Sequence, residues 1–155
     1  MNLFGMLAVS GSALTAERQR AEVVTSNLAN AETTRTDNGG PYRRQMVVFH
    51  ARRMAPAITQ FPFLLASFPG EAPALPLAAG RGVRVDQVVA DPAPPIERYE
   101  PGNPDADAKG YVAYPNVNPV AEMTDLLGAV RAYELNASVV TAVKAMIQSS
   151  FDIVR

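Results

Sequence analysis

Cysteine is absent from the 155 residues, so the chain can form neither a disulfide nor a thiolate zinc site. Its one histidine, His50, excludes a metal site built from several imidazoles. The formal net charge of −1 lacks the basic excess that phosphate contacts require, which argues against a dedicated nucleic-acid-binding protein. The absence of cysteine is compatible with either the cytoplasm or an oxidising compartment, and it slightly favours a protein that need not manage thiols outside the cell.

Long apolar runs and signal-peptide features are also lacking. No apolar run approaches the roughly 20 residues of a membrane-spanning helix. The first positive charge is Arg18, and the apolar run over residues 3–9 is short. Because a secretory signal places basic residues before its apolar run, we expect no cleaved signal peptide.

Proline is missing from both ends of the chain, since all 13 prolines fall between Pro41 and Pro119. Helix interiors exclude proline, so this distribution divides the chain into three segments. We predict an N-terminal helix over residues 1–31, a middle segment over 32–118 and a C-terminal helix over 119–155.

The N-terminal segment has the spacing of an amphipathic helix. Apolar residues recur every three or four positions, whereas Arg18 and Glu22 lie off this stripe. Gly5 and Gly11 weaken the start of the helix, so we expect its first ten residues to fray until a partner binds. The nine stripe positions are Leu3, Leu7, Ser10, Leu14, Glu17, Ala21, Val24, Leu28 and Ala31.

The C-terminal segment shows the same spacing after a clear start signal. Asn118 suits the N-cap, and Pro119 suits the first helical position. Only Lys144 is charged on the stripe, and the helix would extend ~55 Å, far more than a small globule can cover. The stripe positions are Met123, Leu126, Val130, Tyr133, Ala137, Val140, Lys144, Ile147, Phe151 and Val154.

Two terminal stripes in the same 3.5-residue register predict that the helices pair as a coiled-coil-like arm. The fold class that follows is α+β, with long terminal helices and a small β-rich, proline-rich middle segment. A monomer of this size cannot bury both stripes fully, so the pattern indicates an assembly protein.

The middle segment contains four candidate strands. QMVVFH (45–50) and GVRVDQVV (82–89) have strand composition, and IERY and GYVAY are shorter candidates. Residues 55–79 have neither helical nor strand period and are rich in proline, so we expect an irregular insertion there. Its stretch FPFLLASF is either a partner-binding patch or a covered loop, and both interpretations stay open.

No candidate active site emerges from the motifs. His50 has no evident orienting partner and is interpreted as structural. Asp105 and Asp107 alternate as in a calcium loop, but the closing glutamate is lacking, which favours a solvated turn. The arginines of YRRQMVVFHARR favour a solvated face or subunit salt bridges over nucleic acid, because the middle segment has nine acidic and nine basic residues.

Three sequence blocks resemble a known family. TSNLANAETT (25–34), following an amphipathic helix, resembles the signature of bacterial flagellar axial proteins of the rod and hook. YEPGNPDADAKGYVAYPNVN (99–118) and EMTDLLGAVRAYELN (122–136) resemble flagellar basal-body rod proteins, most closely those of the proximal rod. The resemblance covers residues 1–49 and 82–155 and thins over 52–79.

The resemblance also implies roles for individual residues. The axial-family motif marks the end of the first helix and its turn, at Ser26, Asn27, Leu28, Ala29, Asn30 and Ala31. Where many axial relatives have a short Pro-Gly-aromatic-Lys turn, this chain has the longer TTRTDNGGPYRR, which fits the proximal rod. The family pattern also assigns Met123, Leu126, Val130, Tyr133, Glu134 and Asn136 to the C-terminal helix, which packs beside the first. The helix packing and assembly residues expected from the two stripes are Leu7, Leu14, Val24, Met123, Leu126, Val130, Tyr133, Val140, Ile147 and Phe151.

The function implied by the resemblance is that of a structural, non-enzymatic rod subunit without cofactors. It would assemble helically, transmit torque, line the export channel and reach the periplasm through the flagellar type III apparatus with its N-terminal region uncleaved. Expected partners are its own copies, proximal and distal rod subunits, and components of the MS ring and export gate, but neither nucleic acid nor a small-molecule substrate. Two other classes stay open: a cytoplasmic coiled-coil adaptor or export chaperone, and a cell-wall hydrolase.

Overall fold

The computed structural model describes residues 3–37, 39–53 and 81–154. Its elements are α1 (Leu3–Ala29), β1 (Gln45–Arg53), β2 (Arg81–Ala90), β3 (Ile96–Tyr99), β4 (Tyr111–Tyr114) and α2 (Pro119–Val154). Long terminal helices and small antiparallel sheets between them confirm the predicted α+β class. The expected insertion at 55–79 lies outside the described residues.

The two helices pack along each other in opposite directions. Asn27, near the end of α1, contacts Glu122 in the first turns of α2, whereas Arg20, earlier in α1, contacts Asp125. Small side chains fill the contact, because Ala16 of α1 and Ala129 of α2 are both almost fully buried. Such side chains let two helix backbones approach closely. Neither described helix has the length and apolar content that a bilayer crossing requires.

Side-chain amides complete the helix ends where the sequence places them. The Asn118 Oδ1 atom accepts hydrogen bonds from the backbone N–H groups of Val120 at 3.0 Å and Ala121 at 3.3 Å, so the predicted N-cap is confirmed. At the end of α1, the Asn30 Nδ2 atom donates to the Ser26 carbonyl at 2.9 Å. The Asn118 contacts satisfy N–H groups that a helix start leaves without a partner, whereas the Ser26 carbonyl also accepts from the Asn30 backbone N–H at 3.1 Å.

Strands β1 and β2 form an antiparallel pair that includes residues beyond the predicted strands. The ladder runs from Gln45 opposite Ala90 to Arg53 opposite Arg81, with a register shift between Val48 and Phe49. Backbone hydrogen bonding carries the ladder into charged residues whose composition alone does not favour a strand. The Ser12 Oγ atom accepts a hydrogen bond from the backbone N–H of Val83 at 3.0 Å, which fixes β2 against α1.

Strands β3 and β4 form a second antiparallel pair held by aromatic side chains. The Tyr99 and Tyr111 rings meet edge to face with centroids 5.3 Å apart, and the Arg98 guanidinium lies 4.6 Å from the Tyr114 ring centroid. The Tyr114 hydroxyl donates to Glu100 Oε2 at 2.8 Å. This hydrogen bond lowers the pKa of Glu100, with help from Asn103, and raises the pKa of Tyr114.

The loop between β3 and β4 uses its carboxylates to shape turns. The Asp107 Oδ1 atom accepts from the backbone N–H groups of Lys109 and Tyr111, both at 2.8 Å. Asp105 accepts from the Thr34 hydroxyl at 2.7 Å. Within the described ranges, no group of three or more His, Asp or Glu residues could hold a metal ion.

Gly110 is the position in this loop where adding a side chain should destabilise the folded state most. Its φ is +83°, and an added Cβ would lie 2.9 Å from Tyr99 Cε2. We therefore expect Gly110→Ala to lower the free energy of unfolding by about 1–3 kcal/mol. Urea unfolding followed by tyrosine fluorescence measures this, because the chain has no tryptophan and three of its five tyrosines lie on β3 and β4.

The control for Gly110 is Gly102→Ala, where nothing lies within 4 Å of the added Cβ. That substitution should change the free energy of unfolding by no more than about 0.5 kcal/mol. Equal effects of the two substitutions would show that neither the backbone conformation nor the contact with Tyr99 constrains Gly110.

Candidate functional site

A buried polar cluster joins the end of α1, the start of β1 and the first turns of α2. Its members, which we call the junction cluster, are Asn27, Tyr42, Arg44, Gln45 and Glu122. Asn27 is 0% exposed and Glu122 is 1% exposed. Polar groups at such depth are costly unless each one finds a hydrogen-bond partner.

Asn27 uses its whole amide in this cluster. The Nδ2 atom donates to the Gln45 carbonyl at 2.8 Å and to Glu122 Oε2 at 3.0 Å. The Oδ1 atom accepts from the Gln45 N–H at 2.8 Å and from the Tyr42 hydroxyl at 3.0 Å. Two donors and two acceptors exhaust the capacity of the amide. By bonding both backbone groups of Gln45, Asn27 holds the first residue of β1 as a neighbouring strand would.

Arg44 neutralises the buried carboxylate of Glu122. The Arg44 Nε atom donates to Glu122 Oε1 at 2.6 Å, and its two Nη atoms each lie 3.8 Å from a carboxylate oxygen of Asp91 and Asp125. The hydrogen bond to Glu122 is the main cause of the raised pKa of Arg44, and burial opposes it. One guanidinium thereby links the start of β1, the residue after β2 and the first turns of α2.

The axial-family motif lies around this cluster. Asn27 is its buried member, and the Ser26 hydroxyl lies 3.4 Å from the Tyr42 hydroxyl. Asn30 bonds the Ser26 carbonyl and also accepts from the Thr33 hydroxyl at 3.2 Å. Leu28 and Ala31 are half-buried, and Ala29 is exposed.

Sequence reasoning missed Arg44 and Glu122, the two charged members of the junction cluster. Arg44 was considered only within a run of arginines, and Glu122 lies one residue before the predicted C-terminal stripe. The two residues are separated by 78 positions. No local sequence pattern indicates that they pair. The one signal that could have drawn attention to Glu122 is its position beside an apolar stripe in the first turns of a helix.

The predicted packing residues divide into two groups. Those that are buried or half-buried are Leu7, Leu14, Val24, Leu126, Asn136, Val140 and Ile147. Met123, Val130, Tyr133 and Phe151 are instead 52%, 42%, 43% and 71% exposed, and Glu134 is exposed as well.

The residues that α2 buries each come one position before an exposed residue of the predicted stripe. Its buried positions are Glu122, Ala129 and Val143. The positions immediately after these belong to a row with seven-residue spacing, which we call the outer row. The outer row consists of Met123, Val130, Ala137, Lys144 and Phe151.

A groove runs between α1 and α2 beside the outer row. It has a volume of about 370 Å³ and is lined by Glu17, Arg18, Ala21, Ala129, Val130 and Tyr133. Its walls are mainly aliphatic and aromatic, with one acidic and one basic side chain at the α1 side. This geometry suits the docking of another helix better than the binding of a small polar substrate.

Comparison with known proteins places both ends of the chain among flagellar components. A family described as "Flagella basal body rod protein" matches residues 7–35, and one described as "Flagellar basal body rod FlgEFG protein C-terminal" matches residues 108–153. The first match contains the axial-family motif, and the second contains β4 and α2.

Relatives that match over almost their whole length are also flagellar basal-body rod proteins. The chain is 40% identical to the flagellar basal-body rod protein FlgC of Borreliella burgdorferi, over 100% of this chain and 99% of the relative. It is 41% identical to FlgC of Bacillus subtilis, over 99% of each protein. It is 42% identical to FlgC of an Escherichia coli strain, over 94% of this chain and 93% of the relative.

Proposed function

The chain belongs to the FlgC family of flagellar basal-body rod proteins, and from that premise we propose that its paired helices line the export channel of the proximal rod and help to transmit torque. It is a structural subunit of the flagellar basal body that assembles with other rod subunits, and it is not an enzyme. The finer proposals concern how the subunit is built into the rod.

The observation that carries the proposal is the amount of apolar surface that α2 leaves uncovered. Burying such surface between subunits stabilises an assembly by about 25 cal/mol per Å² of apolar area. Exposed apolar surface of this kind marks interaction sites, so we expect neighbouring subunits to cover several sides of α2. The exposed large apolar side chains of α2 are Val120, Met123, Leu127, Val130, Tyr133, Leu135, Val139, Met146 and Phe151.

We propose that α1 and α2 pair as a coiled-coil-like arm in the inner tube, with the four strands further from the rod axis. The opposite directions of the helices support this arrangement, as does the spacing of the buried α2 positions Glu122, Ala129 and Val143 by multiples of seven residues. Subunits in an open helical array meet through heterologous contacts, in which one face contacts a different face of the next subunit. The groove and the outer row are two such faces.

We further propose that the junction cluster sets the angle between the inner helices and the β-rich body. Asn27 and Arg44 connect all three elements that meet there, so a load applied to the strands would reach both helices through short hydrogen bonds. Several neutral and charged hydrogen bonds in one buried site resist relative movement better than apolar contact alone.

The proposed partners are other copies of this chain, the proximal and distal rod subunits, and components of the MS ring and export gate. We propose that the subunit passes through the flagellar type III apparatus with its N-terminal region retained and assembles in the periplasm. The assembly residues are those predicted from the two stripes, with the exposed members at the contacts between subunits.

The test is the recovery of the protein in purified basal bodies. Basal bodies from a strain expressing the chain should contain it together with the other rod proteins, as measured by quantitative mass spectrometry. A strain with an inactive flagellar export apparatus is the control and should retain it in the cell. If the protein instead stays in the cytosol bound to another exported protein, the coiled-coil adaptor or chaperone is the correct function.

A further inference from the structure

Glu17 lines the groove between the helices with a side chain that is 19% exposed. Its Oε2 atom is buried and receives no hydrogen bond from any described residue. Arg20 Nη1 lies 3.8 Å from that oxygen, beyond hydrogen-bond distance, and Arg20 Nη2 is engaged with Asp125 at 3.3 Å. A carboxylate that receives no hydrogen bond keeps unused acceptor capacity, and the exposed part of the Glu17 side chain can receive a cationic group.

Lys144 is the complementary residue on the other helix. It is the one charged member of the outer row, where its neighbours seven residues away are Ala137 and Phe151. Its ammonium group is exposed and makes no ion pair or hydrogen bond to the described part of the chain. The two predicted apolar stripes thus carry one charge each, and the charges are of opposite sign.

A single copy cannot bring these two charges together. Tyr133 lines the groove beside Glu17, and Lys144 lies roughly 16 Å further along α2 at about 1.5 Å per residue. In an axial array all copies point the same way, so a second copy displaced along the axis by that distance would bring its Lys144 to the groove. The outer-row members that flank Lys144, Ala137 and Phe151, would then lie level with Leu126 and Val140 of the first copy.

Other cations fit the groove less well. Arg18 is paired with Glu22 at 2.9 Å, and Arg44 belongs to the junction cluster. Arg131 is exposed but lies outside the outer row, so a helix that presents Arg131 would not present its apolar row at the same time. Of the cations compared, Lys144 alone is both unpaired within the described residues and on the outer row, so it can approach Glu17 while its apolar neighbours contact the first copy.

We propose that in the assembled rod Glu17 accepts a charge-assisted hydrogen bond from Lys144 of a second copy, whose α2 lies against the groove between α1 and α2. This inference rests on the proposed function, because it requires several copies in one axial array. The contact defines a register between copies, because a shift along the axis would leave the Lys144 ammonium unpaired against apolar side chains.

Site-directed crosslinking tests this contact in the natural absence of cysteine. Basal bodies containing the Glu17→Cys/Lys144→Cys chain are treated with a short bifunctional thiol reagent and separated by denaturing electrophoresis. We expect a product of two 16.6 kDa chains and higher multiples of it. The matched control is Glu17→Cys/Arg131→Cys, which should give at most a tenth of that product.

The outcomes separate this inference from the proposed function. If the variant chain is present in basal bodies but gives no dimer, or links to a different rod protein, the contact between copies is overturned and the rod function stands. If even the unsubstituted chain is absent from basal bodies, the proposed function itself fails.

Charge exchange provides a second measurement. Glu17→Lys and Lys144→Glu should each reduce incorporation into basal bodies roughly ten-fold, and the double variant should restore most of it. Far-ultraviolet circular dichroism of each purified variant shows whether the helices are retained. A double variant no better than the single variants, with helices retained, would overturn the pairing.

Discussion

Replacement of Arg44 by methionine is expected to lower the free energy of unfolding by about 3 kcal/mol. The substitution keeps much of the side-chain volume but leaves the Glu122 carboxylate, which is 1% exposed, without its cationic partner. Removing one member of a buried pair costs roughly 3–5 kcal/mol, and the 26% exposure of the Arg44 side chain favours the lower end of that range. Urea unfolding followed by circular dichroism at constant pH measures the change.

A second substitution shows whether the buried charge causes the loss. In the Arg44→Met background, Glu122→Gln removes the charge but keeps an acceptor for Asn27 Nδ2, so we expect about 1–2 kcal/mol to be regained. The control is Arg43→Met, at an exposed neighbouring position, which should stay within about 0.5 kcal/mol of the unsubstituted chain. Similar losses for Arg43→Met and Arg44→Met would contradict the role assigned to the junction cluster.

Introduction of a charge into the outer row should prevent assembly without unfolding the subunit. We expect Met123→Glu to reduce incorporation into basal bodies more than ~100-fold, because burying an unpaired carboxylate between subunits costs several kcal/mol. Met123 is 52% exposed in the single subunit, so the glutamate can remain hydrated there. Its place in the first turns of α2 also favours an acidic side chain through the helix dipole.

The matched control for Met123 is Thr124→Glu. It adds the same charge one residue later, at an exposed position off the outer row, and should reduce incorporation by less than roughly ten-fold. Co-expression of each variant with the unsubstituted chain, followed by quantitative mass spectrometry of basal bodies, gives the ratio directly. Equal incorporation of Met123→Glu and the unsubstituted chain would exclude this row as an assembly face.

The positions of the described helices and strands could be predicted from local signals in the sequence. Proline is excluded from helix interiors, so the distribution of proline separated two helical ends from the middle segment. Asn118 and Pro119 marked the start of α2 because a side-chain amide satisfies free backbone N–H groups and proline needs none. Strand composition located the four strands of the described residues, and the β1–β2 ladder extended the bounds of the first two.

The tertiary structure alone decided which side of α2 faces α1. Periodicity predicted a stripe that includes Val130 and Lys144, and the contact with α1 buries the preceding residues, Ala129 and Val143. The small Ala129 side chain permits close helix packing. The junction cluster likewise depends on the fold, since Asn27 and Glu122 are 95 positions apart. A local pattern encodes the geometry of its own backbone, whereas the burial of Glu122 depends on the turn that brings Arg44 and Asn27 to it.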